Sequence, residues 1–195
     1  LVIADENANP EFVASDLLSQ AEHGRESQVV LVTRSMEIAE RVRFEVGVQI
    51  KGLWRDDIAK DAIDNSLAIV TGSLDSAVKI SNRYAPDHLI IQTVQPRQLL
   101  AYVRNAGSVF LGRWSPESVG DYCSGTNHVL PPYGHARSYS GLSVDQFMRQ
   151  MTVQELSADG LGRIGAAVVE LAGLEGLDAH SAAVTRRLAA IEAGE

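Results

Sequence analysis

The sequence predicts an α/β protein: a mostly parallel β-sheet flanked by helices, followed by a helical appendage. Three observations point there. Short apolar runs alternate with stretches of helical period between Leu1 and Leu111. Several of those runs are apolar throughout rather than alternating, as strands covered on both faces are. After about residue 143 only helical periods remain. The alternation is that of βαβ units, an incomplete Rossmann-like domain over residues 1–142, with an appendage over residues 143–195.

The elements follow in order. Leu1 to Ala4 suits a buried parallel strand. Asn9 is a good N-cap, Pro10 fits a first helical position, and Phe12, Val13, Leu17 and Ala21 form a helical stripe that Gly24 ends. Gln28 to Thr33 is a second strand. Ser35 to Ile50 is helical, with Ile38, Val42 and Val46 four apart, and Asp56 to Asn65 gives a further helical piece. Leu67 to Val70 is a third strand, followed by a helix from Leu74 to about Tyr84. Pro86-Asp87-His88 leads into the strand Leu89-Ile90-Ile91, and a helix from about Gln95 to Val103 leads to the strand at Ser108 to Leu111.

Beyond Gly112, some thirty residues show neither period. They are rich in Gly, Pro, Ser, Tyr and His and carry Asp121 between Gly120 and Tyr122. Loops of this length in compact domains are functional or disordered. Trp114, Tyr122, Tyr133 and Tyr139 argue for order, since aromatic rings are costly to leave in water, and Cys123 reads as a small buried filler. Ser143 to Gln150 reads as a short helix and Ser157 to Leu174 as a long one, with Leu161, Ile164, Val168 and Leu171 along one side. Ala179 to Ile191 begins the last helix. The stripe needs a partner surface on this chain or another.

Composition narrows the function. The 195 residues are 45% hydrophobic and 22% charged, ordinary for a globular domain. A net charge of −8 without a basic, aromatic-interleaved patch argues against nucleic acid. No run of about 18 apolar residues suggests a membrane span, and no signal-peptide pattern is visible. A single cysteine excludes internal disulfides and CxxC metal sites and suits a reducing compartment, with the cytoplasm expected. The first residues read as a strand already under way, as in a piece of a longer chain.

Two pairs and one acid stand out. Gln20 and His23, three apart near a helix end, lie side by side; the plain reading is a solvated face. Asp87-His88 precedes a strand, where an Asp commonly forms a turn, and Asp121 suits an N-cap or turn. Taken with GSVFLGxWSPESxGDYxSGTNHVLPxYG at 107–134, SDLLSQAEHG at 15–24, PDHLIIQT at 86–93, MTVQELS at 151–157 and LDAHSAAVTRRL at 177–188, the chain resembles the C-terminal half of the histidinol dehydrogenase family.

The resemblance implies a zinc enzyme that oxidises L-histidinol to L-histidine with NAD. It places the metal on Gln20, His23, Asp121 and His180, and adds His88, His128 and Glu175 as substrate contacts. It gives proton transfer to Asp87 and His88, with Asp87 standing where the family has Glu, one methylene longer. It also implies a homodimer with shared active sites, to which the appendage lends His180. NAD contacts are expected upstream of Leu1, since no GxGxxG or other glycine phosphate loop occurs here, and the 195 residues alone are expected to be inactive. A transit peptide upstream would place the protein in a plastid. The alternatives are a dehydrogenase for another small polar alcohol, such as a sulfonated diol, and a non-catalytic zinc-binding fragment.

Overall fold

The computed structural model describes residues 1–194. Leu1–Phe147 forms one compact unit and the chain from Met148 forms another. The first unit holds five parallel strands, β1 Val2–Ala4, β2 Val30–Thr33, β3 Leu67–Val70, β4 His88–Gln92 and β5 Ser108–Leu111, in the order β3-β2-β1-β4-β5. Its helices are α1 Pro10–Ala21, α2 Met36–Gln49, α3 Asp56–Asp64, α4 Leu74–Tyr84, α5 Pro96–Leu100 and α6 Glu117–Tyr122.

The uniformly apolar strands are explained by their alternation. Val2, Ala4, Leu31 and Ile90 turn to one face and pack under α1, α2 and α3. Leu1, Ile3, Val30, Val32, Leu89 and Ile91 turn to the other, under α4 and α5. Both faces are covered over β1, β2 and β4, which leaves the interior positions of those strands apolar and their polar residues, Thr33, His88 and Gln92, at strand ends. Burying a side chain the size of Ile3 or Ile91 contributes about 1.5–3 kcal/mol.

Local signals set the helix ends. Asn9 caps α1 by accepting from Glu11 N–H at 3.0 Å, with Pro10 in the first turn. Ser35 and Ser73 cap α2 and α4 in the same way. The α4 helix ends on Ala85, which is buried and left-handed at φ 57° and donates its N–H to Ser81 O at 2.7 Å. That turn delivers Pro86, Asp87 and His88 to the start of β4.

Several expectations need correcting. The helix expected over Gln95 to Val103 spans only Pro96–Leu100, followed by turns in which Tyr102 N–H bonds Leu99 O at 2.9 Å and Val103 N–H bonds Leu100 O at 3.1 Å. The stretch expected to be aperiodic holds α6 and a 3-10 turn at His135–Arg137, while the expected Ser143 helix shrinks to a 3-10 turn at Val144–Phe147. Asp121 lies inside α6 rather than capping it. Cys123 is exposed, because α6 turns only Glu117 and Gly120 inward and Cys123 follows its last turn. Trp114, Tyr122, Tyr133 and Tyr139 are also exposed: their segment lies along the surface, and the contacts of Trp114 with Phe12 and Tyr139 with His135 cover only part of each ring.

The second unit holds the helices α7 Ala158–Leu174 and α8 Asp178–Ala193. Ser157 caps α7, and Gly165 lets α8 approach so closely that a Cβ there would lie 2.9 Å from Leu188. Ile164, Val168 and Leu171 are exposed. No helix among the described residues is long and apolar enough to cross a membrane.

β4 and β5 meet through Gly107, whose N–H bonds Pro86 O at 2.9 Å while Ser108 N–H bonds Asp87 O at 2.8 Å. A Cβ at Gly107 would stand 2.5 Å from Asp87 O, which is backbone and cannot swing away. Gly107→Ala is therefore expected to cost about 1–3 kcal/mol by overpacking, measured by urea denaturation.

Candidate functional site

The site forms at the amino-terminal edge of the sheet. A cavity of about 1270 Å³ is lined there by Gln20, His23 and Asp87, with Tyr84, Tyr133 and Arg137 among its other walls. Each contribution comes from local chain geometry. Gln20 sits in the last turn of α1 and His23 in the turn after it, so both reach the sheet end at which β2 begins. Asp87 precedes β4. Open α/β sheets more often place ligands at the carboxyl ends of their strands; here the residues of interest converge on the opposite edge.

His88, the first residue of β4, is buried and bracketed by acids. Its Nδ1 lies 3.6 Å from Asp87 Oδ1, and its Nε2 lies 3.8 Å from Glu117 Oε2 and 3.9 Å from Asp121 Oδ1. Phe110 of β5 stacks on the imidazole with centroids 6.0 Å apart. Gly120 seats α6 on that ring, since a Cβ there would be 2.6 Å from Phe110 Cε1. Both His88 nitrogens, Glu117 Oε2 and Gln20 Nε2 are buried without a hydrogen-bond partner among the described residues. Ligand atoms of His88, Glu117 and Asp121 all lie within 4.8 Å of one another, close enough to share a cation.

Behind this cluster runs a second polar layer. Glu117 is 2% exposed, and its Oε1 accepts from Ser19 Oγ at 2.6 Å. Asp16, one turn earlier on α1 and 5% exposed, accepts from Gln92 Nε2. Burial pushes the Asp16 carboxyl up to about 6; the Gln92 bond opposes that and the Glu117 charge adds to it. Burial also works to raise Asp87, but the adjacent His88 imidazole and its backbone N–H, bonded at 2.8 Å, hold that carboxyl at about 2.

Of the residues singled out in the sequence, Gln20, His23 and Asp87 share the cavity, while His88 and Asp121 share the buried cluster. His128 is exposed on the segment after α6 and is not among the groups around His88. Glu175 caps α7 and His180 lies in the first turn of α8, both in the second unit. Sequence reasoning missed Ser19, Asp16, Gln92 and Glu117. An acid in a first helical turn reads as a partner of the helix dipole, and nothing local marks Glu117 as buried.

The family model described as histidinol dehydrogenase matches residues 1–188. Histidinol dehydrogenase of Vibrio parahaemolyticus is 59% identical over 188 residues, covering 96% of this chain and 44% of the relative. That of Aliivibrio fischeri is 60% identical, covering 96% of this chain and 43% of the relative. The crystal structure of histidinol dehydrogenase from Elizabethkingia anophelis matches with a TM-score of 0.95 and 46% identity, covering 98% of this chain and 44% of that one. The chain thus spans less than half the length of each of these relatives.

The two shifted carboxyls predict opposite pH behaviour. Asp87, held below its ordinary 3.8, stabilises the fold above about pH 4, and that contribution is lost as pH falls towards 2. Its side chain is 41% exposed, so solvent screening cuts the linkage to about 1 kcal/mol. Asp16 holds its proton where the unfolded chain has lost it, so stability falls as pH rises from about 4 to 6 and stays low above. Asp16→Asn keeps an acceptor for Gln92 and is expected to stabilise the fold at pH 7 by about 1–2 kcal/mol, with Asp87→Asn flattening the acid limb. Denaturation midpoints across pH check both.

Proposed function

This chain belongs to the histidinol dehydrogenase family, and from that premise we propose that it is the metal- and substrate-binding half of an enzyme that oxidises L-histidinol to L-histidine. The observation that supports the reading best is the buried His88, bracketed by acids on both nitrogens and joined through Asp87 to a cavity that Gln20 and His23 also line.

We assign a zinc ion to Gln20, His23, Asp121 and His180. Imidazole nitrogens with carboxylate and amide oxygens are a donor set that zinc accepts, and Gln20 and His23 already face one cavity. When bound, zinc supplies a Lewis-acid anchor for the amine and imidazole nitrogens of the substrate. His128 and Glu175 are assigned to the same ligand, with His180 lent by a second copy of the chain. A homodimer with shared sites would also cover Ile164, Val168 and Leu171, the exposed stripe of α7.

The proton chemistry falls to Asp87 and His88. His88 takes the hydroxyl proton in the first oxidation, a role that suits an imidazole. Asp87 stays ionised at working pH and orients the water that adds to the aldehyde. A carboxylate held near 2 is a weak base, so His88 carries the larger share of proton transfer. No GxGxxG or other glycine phosphate loop occurs in this sequence, and we assign NAD to the remainder of a longer, cytoplasmic protein. The 195 residues alone are then inactive.

The test is made in the full-length protein carrying this segment. Asp87→Ala is expected to slow aldehyde oxidation by roughly 10²-fold and alcohol oxidation by less, while Asp87→Glu keeps both. Stopped-flow assays starting from histidinol and from histidinaldehyde separate the steps. Aldehyde oxidation undiminished in Asp87→Ala would show that another group orients the water.

A further inference from the structure

We propose that Glu117 is the positioning residue for His88: it keeps the imidazole proton on Nε2, leaves Nδ1 free to receive a proton, and is itself held by Ser19. The inference deepens the reading above and rests on it for the reaction concerned, but not for the geometry.

Four observations carry it. Glu117 Oε2 is buried without a partner among the described residues and lies 3.8 Å from His88 Nε2. Its other oxygen accepts from Ser19 Oγ at 2.6 Å, the shorter of the two contacts open to that hydroxyl's one hydrogen, the other being Asp16 O at 2.9 Å. Phe110 stacks on the ring and restricts its tilt. Asp87, the acid nearest Nδ1, already accepts the His88 backbone N–H at 2.8 Å.

The tautomer follows from which acceptor lacks a donor. Glu117 Oε2 faces Nε2 buried and without a hydrogen-bond partner among the described residues, whereas Asp87, facing Nδ1, is 41% exposed and already accepts the His88 backbone N–H. A neutral imidazole carries one proton, and it goes to the nitrogen that faces the unsatisfied buried acceptor. The proton therefore sits on Nε2. Asp121 is assigned to the metal, which leaves Glu117 as the acceptor dedicated to Nε2. An orienting carboxylate behind a catalytic imidazole acts by fixing tautomer and ring orientation, and loss of that control in a serine protease costs about 10⁴-fold.

Glu117→Gln is the sharp substitution because it keeps the shape and leaves an amide oxygen for Ser19. Its NH₂ would then face Nε2 and demand a lone pair there, driving the proton to Nδ1. In the full-length protein, kcat is expected to fall roughly 10²–10⁴-fold, with KM for histidinol changed less than threefold and zinc content unchanged. Long-range ¹H–¹⁵N spectra of histidine-labelled protein should report an Nε2–H tautomer for His88, exchanged for Nδ1–H in Glu117→Gln. If His88, Glu117 and Asp121 instead shared a metal ion through Nε2, the unmutated protein would already show Nδ1–H, and the proposal would fall.

Ser19→Ala frees the carboxylate without removing it and covers the case in which Glu117→Gln fails to fold. It is expected to lower kcat about 3–10-fold and to give a mixture of tautomers. An unaltered tautomer in the folded variants, or unaltered kcat, would overturn the role. A protein with no histidinol activity at all would count against the substrate reading, while the spectra would still decide the role of Glu117.

Discussion

A carboxylate withdrawn from water needs partners, and Glu117 is where this fold feels that constraint. One oxygen takes the Ser19 hydroxyl from α1, while the other lies 3.8 Å from the imidazole that opens β4, without a hydrogen-bond partner among the described residues. Leaving a buried charged group unpaired costs several kcal/mol, so three elements distant in sequence are drawn to one point. The same point fixes the last turns of α1, and with them the placing of Gln20 and His23. It also fixes α6, and with it Asp121. The proposed metal arm and the proposed base thus share one buried anchor.

The apolar framework makes that anchor tolerable. A parallel sheet covered on both faces gives β4 a rigid, dry setting, and its first residue inherits it. Gly107 lets the entry to β5 close on the Asp87 backbone, and Gly120 lets α6 close on the Phe110 ring that stacks on His88. The left-handed Ala85 stores strain two residues before Asp87, as held turns near functional groups often do. Packing decides where the chemistry can sit, and the acids decide what it can be.

The strands and long helices were legible because continuous apolar runs and fourfold spacing are local signals. Asn9, Ser35 and Ser157 mark helix starts in the sequence as they do in the fold. The buried polar layer was not legible. Ser19 and Glu117 are 98 positions apart, and Asp16 and Gln92 are 76 apart, so their pairing exists only after the sheet has formed. Asp87 and His88 stood out through resemblance to a known motif; their types alone suit a turn equally well. The loop aromatics misled in the other direction, because bulk and apolarity argue for burial but do not supply a surface to bury against.

The proposed zinc lies on Gln20, His23, Asp121 and His180, beside His88 and not on it. Anomalous diffraction at the zinc edge from crystals of the full-length protein tests this most directly. One strong peak bounded by those four side chains is expected, with His88 Nε2 directed at Glu117. A peak enclosed by His88, Glu117 and Asp121, with Gln20 and His23 free of metal, would contradict it.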